Sequence, residues 1–262
     1  NIRLPYLAIM VLLVVAAASL MAVHVQPTAR AETAVPPVAE AAVEPVVGHG
    51  AAAAPVRGGW HEAVEGLRFI RHRPVLLGAI SLDLFAVLFG GAIALLPAIA
   101  KDRLGVGAVG LGWLRAAGGM GAAAVTVGLA IRPLSRKVGR VLLVVVAGFG
   151  VGTIVLGITR SFTVAFVAMA ALSGADAVSV FIRATLVPLV TPEEKRGRVL
   201  AVENVFIGAS NELGAFESGV AGQLIGTTGA VVLGGVGTLA VAVGWWFLFP
   251  GLRKVDRFPE GD

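Results

Sequence analysis

The chain has no cysteine among its 262 residues. Disulfide staples and thiolate metal centres are therefore excluded. Charge is scarce as well. Asp, Glu, Lys and Arg make up 14% of the sequence, against 57% for the apolar residue types. A soluble domain has a charged fraction nearer a quarter and cannot hide so much apolar surface from water. Histidine occurs only four times, at His24, His49, His61 and His72. What is plentiful is apolar sequence, with a mean hydropathy of +0.89, and glycine, present 35 times. Both suit a chain whose solvent is lipid, where glycine lets helix backbones approach closely. The formal charge of +5 does not point to nucleic acid, because the basic residues cluster between apolar runs.

A spanning helix needs roughly 20 mostly apolar residues. Stretches of this kind fall at 4–25, 75–100, 106–131, 141–158, 162–190, 199–226 and 230–250. The first has two readings. It resembles a signal peptide in its basic start (Arg3) and in Ala29-Arg30-Ala31, yet its apolar run is long for one. The preferred reading is a span, so six core spans follow one preceding helix. Fifteen of the 21 Lys and Arg lie on one side of this pattern, in the connections before and after alternate spans. The rich side is expected to be cytoplasmic, with the C-terminus inside. Residues 26–73 form the long cytoplasmic connection. Its first part is rich in Ala, Pro, Val and Glu, like a flexible linker. Its second part, 60–70, sets Trp60, Val64, Leu67, Phe69 and Ile70 against Glu62, Glu65 and Arg68. That pattern predicts an amphipathic helix on the membrane surface, the alternative being more linker.

A charge at bilayer depth costs roughly 2.5–3.5 kcal/mol, so each should face a cavity or a partner. Within the six core spans, the first carries Asp83 and the second Arg115. The fourth carries Asp176 and Arg183. The fifth carries Glu203, Asn204, Ser210, Asn211, Glu212, Glu217 and Ser218. The third and sixth carry no charge. This period of three fits two three-helix repeats. Asp83 lies about 12 Å into its span and Arg115 about 14 Å into the next, at 1.5 Å per residue. Similar depth on neighbouring helices predicts an Asp83–Arg115 ion pair. Asp176 and Arg183, seven apart, share a helix face, and Arg183 is expected to snorkel to the headgroups. In the fifth span two heptad lines, Glu203-Ser210-Glu217 and Asn204-Asn211-Ser218, form one polar stripe facing the bundle interior. Asp83, Asp176 and Glu212 are deep enough to carry protons, with Glu212 ranked first and Asp176 second.

Several segments resemble the C-terminal half of major facilitator superfamily transporters, in the branch of the enterobactin exporter. They include Gly66-Leu67-Arg68-Phe69-Ile70, the run Asp83 to Gly91, and Leu95-Leu96-Pro97. They also include Arg196-Gly197-Arg198-Val199 and Gly208-Ala209-Ser210-Asn211-Glu212-Leu213-Gly214. A cytoplasmic loop signature of the family has a weak counterpart in Leu134 to Arg140, with Arg136 where the family has an acid. The resemblance implies an all-α membrane protein: a six-helix C-terminal half-bundle of a twelve-helix transporter. Residues 1–25 would be the last helix of the N-terminal half, 26–73 the central cytoplasmic linker, 74–250 the bundle and 251–262 a cytoplasmic tail. It implies ion-gradient-driven efflux of a small molecule at the plasma membrane by alternating access. The partners implied are that substrate, the lipid bilayer and the N-terminal half, with no cofactor, metal or nucleic acid. Candidate pathway residues are Asp83, Arg115, Asp176, Arg183, Glu203, Asn204, Asn211 and Glu212.

Two rivals stand beside this reading. One is a non-transporting scaffold or sensor on the same fold. The other is an intramembrane enzyme, because Glu193-Glu194-Lys195-Arg196-Gly197-Arg198 matches a Glu-Glu-x-x-x-Arg protease signature. That chemistry needs histidine ligands on later helices, and no histidine follows the motif.

Overall fold

The computed structural model describes residues 60–259; the stretch at 4–25 and the linker to residue 59 lie outside them. The described residues are helical throughout, apart from short connections. Helix α1 is Trp60–His72, α2 Pro74–Phe89, α3 Ala108–Ile131, α4 Val138–Ile158, α5 Phe162–Val190 and α6 Glu193–Leu248. Five segments are long and apolar enough to cross a membrane: Pro74–Arg103, Ala108–Ile131, Val138–Ile158, Phe162–Val190 and Glu193–Leu248. Large apolar side chains such as Val109, Trp113, Ile131, Phe216, Leu224 and Phe247 are exposed along them. In water so extensive an apolar surface would drive aggregation; in a bilayer it meets its own solvent.

Local chemistry explains where the helices begin and bend. Pro74 opens α2 at the position where a missing N–H costs nothing, and Arg73 before it is extended. Beyond Gly90 the same span continues irregularly. A 3₁₀ turn at Gly91–Leu95 leads through Leu96-Pro97-Ala98 into a wide π turn at Ile99–Arg103. Pro97 has no N–H to donate and cannot sit inside an unbroken ladder.

Helix α6 has 56 residues. Unbroken, it would be about 84 Å long at 1.5 Å per residue, far beyond a hydrocarbon core of ~30 Å. It is broken at Gly226, whose φ of 79° only glycine adopts readily. Before the break, Gly214 lies against Val87 and Leu88, and Gly222 against Leu95. After it, Gly234 lies against Phe89, Trp245 donates to the Ser81 hydroxyl at 3.1 Å, and Gly78 faces Phe249. The first limb therefore runs along α2 in the same direction and the second limb runs back. These limbs are the two stretches expected at 199–226 and 230–250.

Packing between spans relies on small residues, since lipid gives helices little reason to associate through apolar area. A Cβ on Gly121 would collide with the Ala170 backbone, and one on Gly91 with Gly214 and Ser218. Thr238 ties α6 to α2 by donating to the Ala86 carbonyl at 3.2 Å. One buried cluster joins Leu82, Ala86, Leu142, Ile182, Leu186 and Leu252; a second, at the other end, joins Leu96, Leu114, Leu156, Met169 and Leu172.

Helix α1 forms as the amphipathic pattern indicates, but with a different inner face. Gly66 and Ile70 are buried against α6, while Val64 and Leu67 are exposed. Glu65, expected on the polar outer face, turns inward to meet Arg198 at 2.7 Å and Lys195 at 3.4 Å. The C-terminal tail closes the same end of the bundle. The Lys137 amide donates to the Asp256 carboxylate at 3.2 Å, and Arg136 lies 3.7 Å from that carboxylate. The Gly139 amide donates to the Val255 carbonyl at 3.0 Å. Asp256 thus supplies a carboxylate at the start of α4, where the loop itself carries Arg136.

Candidate functional site

The polar centre of the bundle is organised by α5. Asp176, Ser179 and Arg183 stand at i, i+3 and i+7, so all three share one face. Arg183 reaches two other helices. Its guanidinium lies 2.7 Å from the Asp83 carboxylate on α2 and 3.5 Å from the Glu203 carboxylate on α6. All three side chains are buried, Arg183 to 5% exposure. Asp83 is about 14 Å along α2 from Pro74 at 1.5 Å per residue, near mid-bilayer for a core of ~30 Å. A lone buried ion would carry a solvation penalty of several kcal/mol, so the pairing is what lets these groups remain there. Helices α2, α5 and the first limb of α6 are thereby locked together at a single guanidinium.

Two features remain unbalanced. Asp176 has no cation within ion-pair distance among the described residues. The Ser179 hydroxyl and the Arg183 Nε are buried without a hydrogen-bond partner among them. Beside this cluster, a cavity of about 20 Å³ opens between α2, α4 and α5, lined by Asp83, Asp176 and Ser179 together with apolar residues including Val146 and Phe149. It has room for one water-sized occupant.

The structure changes two of the expected contacts. Asp83 pairs with Arg183, not with Arg115. Arg115 lies on an exposed face of α3, which packs mainly against α5. Similar depth did not bring Asp83 and Arg115 together because α3 packs against α5 and not against α2, and Arg115 lies on its exposed face. Arg183 does not snorkel to the membrane surface; two carboxylates hold it inside. The fifth-span stripe also divides. Glu203, Ser210 and Ser218 are buried, whereas Asn204, Asn211 and Glu212 are exposed on the adjoining flank. Next to that flank, Val205, Leu213, Phe216 and Leu224 form an exposed apolar face. Ser179 is an addition to the sequence candidates; its spacing from Asp176 and Arg183 was the available signal.

Residues 53–259 match the family described as transmembrane secretion effector, one of the major facilitator superfamily. The chain belongs to this family. The match takes in α1 and every described span, including Asp83, Asp176, Arg183 and Glu203. No curated protein and no solved structure matches the chain. Membership makes this a multi-pass membrane protein of a superfamily that transports and is in general not enzymatic.

Proposed function

We propose that this chain is the C-terminal half of a twelve-helix secondary transporter that exports a small molecule across the plasma membrane by alternating access, driven by an ion gradient. The observation that carries the reading is Arg183, held between Asp83 and Glu203 at the junction of three helices. A guanidinium shared by two carboxylates has two limiting arrangements. A cation or proton arriving at Asp83 weakens its hold and favours Glu203; departure restores the first pairing. Because the carboxylates sit on α2 and α6, each arrangement favours a different packing of those helices. Such a two-state element can couple ion occupancy to which side of the membrane the pathway faces.

Two exposed polar features support a water-filled path. Asn204, Asn211 and Glu212 form a polar flank on α6, and Arg115 is exposed on α3. Amide and charged groups at this depth are costly against lipid, so they belong against water, substrate or the N-terminal half. The three-plus-three repeat accounts for the alternation of polar and apolar spans. The concentration of Lys and Arg beside α1, the loop before α4 and the tail supports a cytoplasmic location for these segments, with the C-terminus inside.

Side-specific labelling tests the path. The chain has no native cysteine, so Asn211→Cys in the full protein is a clean probe. An impermeant maleimide should react at position 211 from at least one side of the membrane. No reaction from either side, with the protein folded, would place the flank in a dry seam and favour a non-transporting scaffold.

A further inference from the structure

We propose that Asp83, Asp176 and Ser179 form a binding site for a single sodium ion in the cavity between α2, α4 and α5. The inference rests on the reading of this cluster as the ion-coupling element and names the ion and its place.

The first argument is charge. Asp83 and Glu203 share the Arg183 guanidinium, and Asp176 lines the same cavity as Asp83. Arg183 is committed to Asp83 and Glu203, and Asp176 is left without a cation among the described residues. The second argument is an unmet polar group. Ser179 is 4% exposed, its hydroxyl has no partner, and it lines the cavity. A hydroxyl oxygen left free beside two carboxylates is a ready ligand for a hard cation.

The third argument is size and donor count. The cavity, about 20 Å³, holds one water-sized occupant and is too small for an organic substrate. Two carboxylates and a hydroxyl offer at most five oxygens, all hard donors. Calcium takes 6–8 oxygens, and magnesium sheds its water shell reluctantly and demands octahedral geometry. The remaining lining, with Ala86, Val87, Val146 and Phe149, offers no side-chain donor. Potassium needs a larger shell than five oxygens supply. A small monovalent cation remains. Asp176 is less buried than Asp83 and Ser179, which line the same cavity.

The mechanism follows from position. Sodium bound by Asp83 competes with Arg183 for the same carboxylate and so shifts the guanidinium toward Glu203. Occupancy of the cavity and the partner of Arg183 become one equilibrium.

The test is thermal unfolding of the purified full protein in detergent, followed by tryptophan fluorescence, in sodium, potassium and choline chloride at equal ionic strength. Wild type should show a Tm that rises saturably with sodium and not with potassium or choline. Ser179→Ala and Asp176→Asn should each raise the half-saturating sodium concentration at least tenfold. Ser179→Ala removes one hydroxyl without a hydrogen-bond partner, so the fold tolerates it. Equal Tm in all three salts, or a sodium response unchanged in both variants, would overturn the site. If sodium has no effect but labelling at Asn211→Cys still responds to an ion gradient, the sodium site fails and the transport reading stands. A sodium response with no labelling from either side separates them the other way: the site stands and the transport reading fails.

Discussion

Replacing Asp83 with asparagine isolates the contact that holds the centre of the bundle. The side chain keeps its size and loses its charge. Arg183 then loses its 2.7 Å partner and retains only Glu203 at 3.5 Å. Removing one member of a buried pair typically costs 3–5 kcal/mol because the remaining charge is uncompensated. Here Glu203 still compensates in part, so the lower end, about 3 kcal/mol, is expected. At about 1.4 kcal/mol per tenfold, that is roughly a hundredfold in the folding equilibrium. Glu203→Gln should cost less than Asp83→Asn, since Arg183 keeps its shorter contact. The assay is reversible unfolding in mixed detergent micelles, read by helical circular dichroism, arranged as a double-mutant cycle. Asp83→Asn and Arg183→Gln should couple by more than about 1 kcal/mol, while Asp83→Asn and Arg115→Gln should add independently. Coupling to Arg115, or additivity with Arg183, would refute the geometry.

Other consequences are checked by simpler means. Gly121→Val drives a side chain into the Ala170 backbone where α3 meets α5; overpacking of this kind costs about 1–3 kcal/mol, readable as a lower Tm. Trp245→Phe deletes the donor to Ser81 but keeps the aromatic contact with Phe85; a loss of about 0.5–1.5 kcal/mol is expected, and a larger one would mean the indole ring itself is critical. Gly66→Leu should lift α1 from α6, because a Cβ there already meets the Arg198 carbonyl; faster proteolysis near His72 would report it. Single cysteines replacing Glu44 and Asp262 should both resist an impermeant reagent applied from outside; efficient labelling at position 44 would reverse the orientation and revive the signal-peptide reading of 4–25.

The spans were legible in the sequence because lipid imposes one rule, a run of apolar residues of fixed length. The break at Gly226 fell where the fifth stretch ended, since a 56-residue helix cannot fit the bilayer in one pass. The members of the site were legible too: charge in an apolar run is conspicuous, and Asp83, Asp176, Arg183 and Glu203 stood out for that reason. Their pairing was not. Depth along a helix follows from counting residues, but rotation about the axis and the choice of neighbour depend on packing by residues such as Gly121 and Gly91. Arg115 therefore matched Asp83 in depth but sits on a helix that packs against α5 and not against α2. Heptad counting likewise merged two adjacent lines of the fifth span into one stripe. Adjacent lines differ by about 100° of helix rotation, enough to bury Glu203 and expose Asn204. Ser179 was overlooked because a serine in a helix is unremarkable until its hydroxyl is seen to lack a partner.

The most direct measurement of ion-coupled alternation is the rate at which an impermeant maleimide applied from outside labels Asn211→Cys, before and after an ion gradient is imposed across the membrane. An alternating transporter switched at Arg183 predicts a rate that changes several-fold with the gradient, and a change that disappears when Asp83→Asn is added. A rate indifferent to the gradient in the otherwise unaltered protein would contradict the account.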